Sequence, residues 1–327
     1  MNDRVLSNGR LTQNQVEKME KSLHETVSAI KNKDYYYLRK SKNPIKIPPV
    51  KTIAVMTSGG DSPGMNATIR AVVLTAAANN IKVVGIRYGF MGLVYGDFIN
   101  LTTQNVDDII RCGGTRLHTA HCPDFQDDDM IYRTIERLKD YEIDSLIVIG
   151  GGNFLNGTLA FANRGLPCIA IPATIENDIA CTEYTIGHDT ATNTVIEMID
   201  RLCDTSESHD RCTVVQVIGR KAGYIALNAG VACGATSILI PEIEYDFQRD
   251  VINRIWKTQL AGKMHSIIVV AECMGSVEKM AGKIESETGI ESRATILGHI
   301  QRGGVPTGRD RVNATKMGYL AVELLLE

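Results

Sequence analysis

From Lys51 onward, short β-branched runs alternate with helical stretches, and this alternation constrains the fold more than any other feature. The runs are TIAVMTS, KVVGIRYG, SLIVIGG, CIAIPAT, TVVQVIG, SILIPE and SIIVVAE. Each is apolar at successive positions, so both faces must be covered. That is the signature of parallel strands flanked by crossover helices rather than of a half-solvated antiparallel sheet. The expected fold class is α/β, with two doubly wound α/β domains and mainly parallel sheets. Ligands in such folds bind beyond the carboxyl ends of the strands. The residues just after the runs are therefore the candidates: Gly59-Gly60-Asp61, Gly150-Gly151-Gly152, Thr174 to Asp178, Gly219-Arg220 and Glu272.

The chain of 327 residues is long enough for two domains. Its net charge of -3 carries no positive field for nucleic acid, and no apolar run has the length of a membrane helix. The eight cysteines are scattered without a C-x-x-C pair. This pattern suits a reduced, cytoplasmic protein, and no metal ligand set is expected. Residues 1–50 differ from the rest. Val16, Met19, Leu23, Val27 and Ile30 form one stripe at helical spacing, and a basic, proline-ended linker follows. The stripe suits a helix lying on its own domain or one docking a partner subunit.

Three turns carry recognisable chemistry. Thr57 to Asn66, TSGGDSPGMN, joins a strand to a helix, and its glycines suit either close packing or an anion at the helix N-terminus. It lacks the Gly-Lys-Ser/Thr of a Walker motif. Ala173-Thr-Ile-Glu-Asn-Asp178 places two carboxylates two residues apart, on one side of an extended backbone. They could take a proton from a sugar hydroxyl or simply cap a helix. Gly298-His-Ile-Gln-Arg-Gly-Gly304, with Arg211, Arg220 and Arg293, offers planar guanidinium forks suited to phosphate.

Together these turns resemble the phosphofructokinase family, from about Lys51 to the C-terminus. The matching stretches are TSGGDSPGMNATIRAVV, GGTRLHTAHCPDF, ATIENDIACTEYTIGHDTATNTV, SHDRCTVVQVIGRKAGY and SRATILGHIQRGGVPTGRDR. The resemblance implies transfer of a phosphoryl group from a nucleotide, or from pyrophosphate in some branches, to the 1-hydroxyl of fructose 6-phosphate. It implies an N-terminal extension and linker over 1–50. A larger nucleotide-side domain would span 51–187 and be rejoined by about 300–327, and a smaller sugar-phosphate domain would span 188–299. Mg2+ and ATP are expected for the family. The partners are a fructose phosphate and further phosphofructokinase subunits in a homo- or hetero-oligomer.

The resemblance assigns roles residue by residue. Thr174 and Asp178 match the acceptor loop, and Glu176 stands at the base. Ile218, Gly219 and Arg220 match the segment that holds the sugar, Ile218 replacing a methionine. Glu272 matches the carboxylate that holds a sugar hydroxyl. His299 and Arg302 match the 6-phosphate clamp, and Arg211 and Arg293 match arginines lent by an adjoining subunit. An effector site is matched at Arg70, Glu242 and Lys263, while Leu74, Cys203 and Met264 replace basic residues there.

The nucleotide side, Gly60, His121, Cys122, Gly151, Gly152, Asn153 and Phe154, departs from the pattern. Gly152 stands for an aspartate that would hold magnesium. Phe154 stands for a small residue facing phosphate and is expected to fill that space. His121 stands for an arginine bridging the transferred group, and Glu176 for an aspartate. A displacement of ~1 Å at the base costs ~10²-fold, and an arginine in such a role is worth ~10³–10⁵-fold. The expectation is a fructose-phosphate-binding, regulatory member with impaired catalysis. The alternatives are an active 6-phosphofructokinase with Glu176 as base and a scaffold that binds neither ligand.

Overall fold

The strands that the sequence marks as apolar on both faces form the centres of two sheets. The structure is a computed structural model that describes residues 50–120, 122, 128–152, 154–180 and 182–327. The N-terminal stripe and linker, His121 and Asn153 lie outside the described residues. Residues 50–327 form one compact unit.

The first sheet contains β1 (Thr52–Ser58), β2 (Lys82–Ile86), β3 (Phe98–Leu101), β4 (Ser145–Gly150) and β5 (Cys168–Pro172), in the order β3-β2-β1-β4-β5. All pairings are parallel except β2 with β3. The second sheet contains β6 (Cys212–Val217), β7 (Ser237–Leu239), β8 (Ser266–Ala271) and β9 (Ser292–Ile296), ordered β7-β8-β6-β9 and parallel throughout. The α/β class with mainly parallel sheets is as expected. Two strands went unmarked in the sequence, β3 and β9. Both lie on sheet edges, and β9 carries the exposed Arg293, so neither shows an uninterrupted apolar run.

Alternation explains why both faces of the centre strands are buried. In β1, Ile53 and Val55 enter one core while Ala54 and Met56 enter the other. In β4, Ile147 and Ile149 divide in the same way from Leu146 and Val148. The second sheet does likewise, with Val215 and Val269 on one side and Val214 and Ile268 on the other. The final helix, Gly308–Leu326, returns to the first sheet and packs on the helix Met65–Ala78. The helices meet so closely that a Cβ on Gly318 would stand 2.8 Å from the Thr68 carbonyl.

Candidate functional site

Parallel register brings the strand ends of the first sheet side by side. Ser58 is level with Gly150, and Gly150 with Pro172. The three turns that follow are pressed together. A Cβ on Gly59 would stand 2.7 Å from the Gly151 carbonyl oxygen, and one on Gly151 would stand 2.6 Å from the Thr174 Cβ. Glycine is thus required here by neighbouring turns. The loop before His121 joins the same edge, where the Thr119 hydroxyl donates to the Gly59 carbonyl at 2.7 Å.

The second sheet sends its own strand ends to this place. After β6 comes Gly219-Arg220, after β8 comes Glu272, and after β9 comes the turn Gly298–Arg302. Glu176 is where the two sets meet. Its Oε1 lies 3.7 Å from Arg302 Nη2, and its Oε2 accepts from the Arg220 backbone N–H at 3.3 Å. The Arg302 and Glu176 side chains are only 18% and 13% exposed, so the pair is far less screened than a surface contact. Arg302 also donates to the Asp61 carbonyl at 3.3 Å, and a Cβ on Gly60 would collide with its guanidinium at 2.5 Å. The Arg220 side chain pairs with Glu272 at 3.5 Å. Thr174 closes the loop locally, its hydroxyl accepting from the Glu176 N–H at 3.3 Å.

Asp178, Ile218, Gly219 and His299 adjoin this cluster in the chain, whereas Arg211 and Arg293 do not. Asp178 lines a cavity of about 580 Å³ together with Lys221, Tyr224 and Glu242. Ile218 and Gly219 are buried, and the Ile218 N–H is held by the Gln301 amide oxygen. His299 is exposed on the turn after β9. Arg211 precedes β6, roughly 20 Å from its carboxyl edge, and Arg293 is the second residue of β9, roughly 10 Å from its end at ~3.3 Å per residue. They share Glu291, whose carboxyl Arg211 holds below the usual range. Among the described residues, no hydrogen bond or ion pair joins the three effector candidates. Arg70 faces Asp107, Glu242 accepts the Gly223 N–H at 2.7 Å, and Lys263 sits near the Cys203 thiol.

The nucleotide turn needs a correction. Phe154 does not fill the phosphate space: it is 2% exposed and lies in the core beside Met56, Phe90 and Phe161. Placed at the start of the helix Phe154–Ala162, its ring turns inward because burial of an aromatic outweighs any contact it could make at the edge. Cys122 likewise packs against that core. Gly152 is exposed, and a Cβ there would meet nothing within 4 Å. Mg2+ is held by one or two carboxylates plus phosphate oxygens. The turn after β4 supplies no such ligand, and among the described residues no three His, Cys, Asp or Glu side chains gather. These residues do not fit a magnesium ion held by that turn.

Sequence reasoning missed three supports of the site. Gln301 is fully buried and spans from the Ile218 N–H to the Gly298 carbonyl. Asp310, also fully buried, accepts from the Gly187 and Thr190 N–H groups at 2.7 and 2.8 Å and from the Tyr184 and Thr190 hydroxyls. It caps the helix His188–Ser208 from another element, since Gly187 has no side chain to do so. Burial, then Asp310 itself, pushes the Tyr184 phenol pKa upward, so it stays a donor. His188, the third support, holds the Ile175 carbonyl from behind the acidic loop. The only sequence signal was indirect: polar residues inside otherwise matched stretches.

The comparisons agree with this geometry. The family model described as Phosphofructokinase matches residues 52–325. An ATP-dependent 6-phosphofructokinase of Bacillus cytotoxicus is 52% identical over 278 residues, covering 85% of this chain and 87% of that protein. Among solved structures, phosphofructokinase from Saccharomyces cerevisiae aligns with a TM-score of 0.80 at 33% identity. The alignment covers 84% of this chain but 42% of the yeast chain, so this chain spans about two-fifths of that relative. A pyrophosphate-dependent phosphofructokinase from Marinobacter aquaeolei shares the fold, with a TM-score of 0.76 at 22% identity over 85% of this chain and 76% of that one. With the strand-end cluster and the family match in agreement, the chain belongs to the phosphofructokinase family.

Proposed function

We propose that this chain transfers the γ-phosphoryl group of ATP to the 1-hydroxyl of fructose 6-phosphate. The observation that carries the proposal is the convergence of Glu176, Arg302 and Arg220 where the strand ends of both sheets meet. The 52% identity to an ATP-dependent relative supports ATP as donor. Impaired catalysis loses one of its supports, because Phe154 is withdrawn into the core.

In this reading the Glu176 carboxylate takes the proton of the 1-hydroxyl as its oxygen bonds to the γ-phosphorus. The bond from that phosphorus to the bridging oxygen breaks, and ADP leaves with the electron pair. Catalysis of such a transfer is chiefly positioning and charge neutralisation. Arg220 lies beside Glu176 and Glu272 to face the transferred charge. Arg302 and His299 hold the 6-phosphate. A phosphate is a stronger partner for a guanidinium than one carboxylate. Binding of the sugar therefore draws Arg302 from Glu176 and frees the base. Thr174, Asp178 and Glu272 hold sugar hydroxyls. Arg211 and Arg293 pair with Glu291 and not with Glu176 in their own chain, which supports an oligomer in which a neighbour supplies them. A cytoplasmic location fits the reaction, and among the described residues no helix is long and apolar enough to cross a membrane.

One observation favours a second reading, a regulatory subunit that binds the sugar phosphate without turning it over: the turn after β4 brings no carboxylate for magnesium. Calorimetry with fructose 6-phosphate and with ATP–magnesium, followed by a turnover assay on the full chain, separates the two. Turnover above ~1 s⁻¹ supports the kinase. Sugar binding without turnover supports the regulatory subunit, and absence of both ligands refutes each.

A further inference from the structure

His188 opens the helix His188–Ser208 and is 7% exposed. Its Nδ1 lies 2.8 Å from the Ile175 carbonyl oxygen, and its Nε2 lies 3.1 Å from the Asn228 amide nitrogen. The ring meets the edge of Tyr224 at 6.4 Å. A carbonyl only accepts, so Nδ1 carries the proton. In the neutral ring, Nε2 then accepts from the Asn228 amide. Burial lowers the proton affinity of the ring and outweighs the opposing hydrogen bond to the Ile175 carbonyl and the pull of Asp310 and Asp189. The neutral tautomer is therefore the resident form.

The two bonds differ in weight. Ile175 is fully buried, so its carbonyl has no water to replace a lost donor, whereas Asn228 is exposed. The carbonyl so held belongs to the residue directly before Glu176 and directly after Thr174. Asn228 lies on the helix Tyr224–Ala232, which follows the Gly219-Arg220 segment.

We propose that His188 is a positioning residue for phosphoryl transfer: its Nδ1–H fixes the Ile175 carbonyl and thereby the direction in which Glu176 leaves the backbone, while Nε2 registers that loop against the helix beyond Arg220. A general base must stand within hydrogen-bond reach of its proton, and misplacement by ~1 Å costs ~10²-fold. A side chain that sets the preceding peptide plane controls a displacement of that size. A core histidine with only a packing role would change stability when replaced and leave the bound substrate's reactivity alone.

The inference rests on the proposed kinase function, and the test separates the two. His188→Phe keeps an aromatic ring and removes both hydrogen bonds. It should lower kcat by about 10- to 100-fold and leave the KM for fructose 6-phosphate nearly unchanged. His188→Asn places an amide N–H where Nδ1 stood and should recover most of kcat. His188→Gln reaches toward the Nε2 position and should not. A native kcat in His188→Phe, or equal recovery by Asn and Gln, overturns the assignment. If the native chain shows no turnover, the kinase proposal fails and His188 is judged by amide hydrogen exchange at residues 174–178. Faster exchange in His188→Phe supports positioning, and unchanged exchange overturns it.

Discussion

The turns after β4 and after β5 leave neighbouring strands at the same level, yet they are held in opposite ways. The loop after β5 is tied down on every side. Arg302 and the Arg220 N–H hold Glu176, the Asn177 carboxamide oxygen accepts from the Thr185 N–H at 2.9 Å, and His188 holds Ile175. The turn after β4 is held by packing, with Gly151 against Thr174 and Phe154 in the core. Gly151 has no room for a side chain, but one residue later Gly152 has open space around it, at φ +65°. Packing therefore dictates Gly151, whereas backbone conformation favours glycine at 152. Open space alone does not make a side chain welcome there, because the left-handed φ favours glycine whatever surrounds it.

The sharpest way to break this contrast is Arg302→Ala. It removes the clamp and leaves Glu176 facing a mostly buried gap. Losing a buried charged contact to the 6-phosphate costs ~2–5 kcal/mol, so fructose 6-phosphate binding should weaken about a thousandfold by calorimetry. Binding that survives would separate Arg302 from the sugar. On the other turn, Phe154→Ala should cost about 3 kcal/mol of stability in denaturant unfolding, the low end for a buried aromatic. It should not improve ATP binding, and a gain in ATP affinity would restore the view that the ring blocks phosphate.

Glu176→Gln keeps the shape of the loop but not the base. Turnover should fall ~10²-fold or more while sugar affinity stays nearly constant in the same titration. Gly152→Asp tests the vacant position directly. Strain at positive φ for a non-glycine residue is ~1 kcal/mol, and the returned carboxylate should raise the apparent affinity for ATP–magnesium by about tenfold. No change in magnesium dependence would show that the missing carboxylate is not what limits the site.

The smallest effect concerns acid. Burial lowers the His188 pKa, so the unfolded chain takes up a proton near pH 6.5, the ordinary value, while the folded chain resists it. Stability should be full above about pH 6.5 and decline as the pH falls below it. Thermal melts of the native chain and His188→Asn across that range should differ in slope.

Much of this was legible in the sequence. The centre strands announced themselves through apolar runs, and the turns after them were found by position. Strands β3 and β9 escaped because exposed polar residues, Asn100 and Arg293, interrupt their apolar runs. Asp310 and His188 escaped for another reason. Each acts on a segment distant in the chain or on a carbonyl behind the loop, and neither contact leaves a local pattern.

The order of apolar runs and glycine turns settled the layered parallel architecture and the edge at which a ligand must sit, because those depend on short-range periodicity and on the backbone's need for close approach. Tertiary packing decided which way Phe154 faces, which cations reach Glu176, and which residue caps the helix after Gly187. Such choices compare burial and hydrogen bonding among residues that local sequence does not link, some more than a hundred positions apart, and only the folded chain brings those residues together.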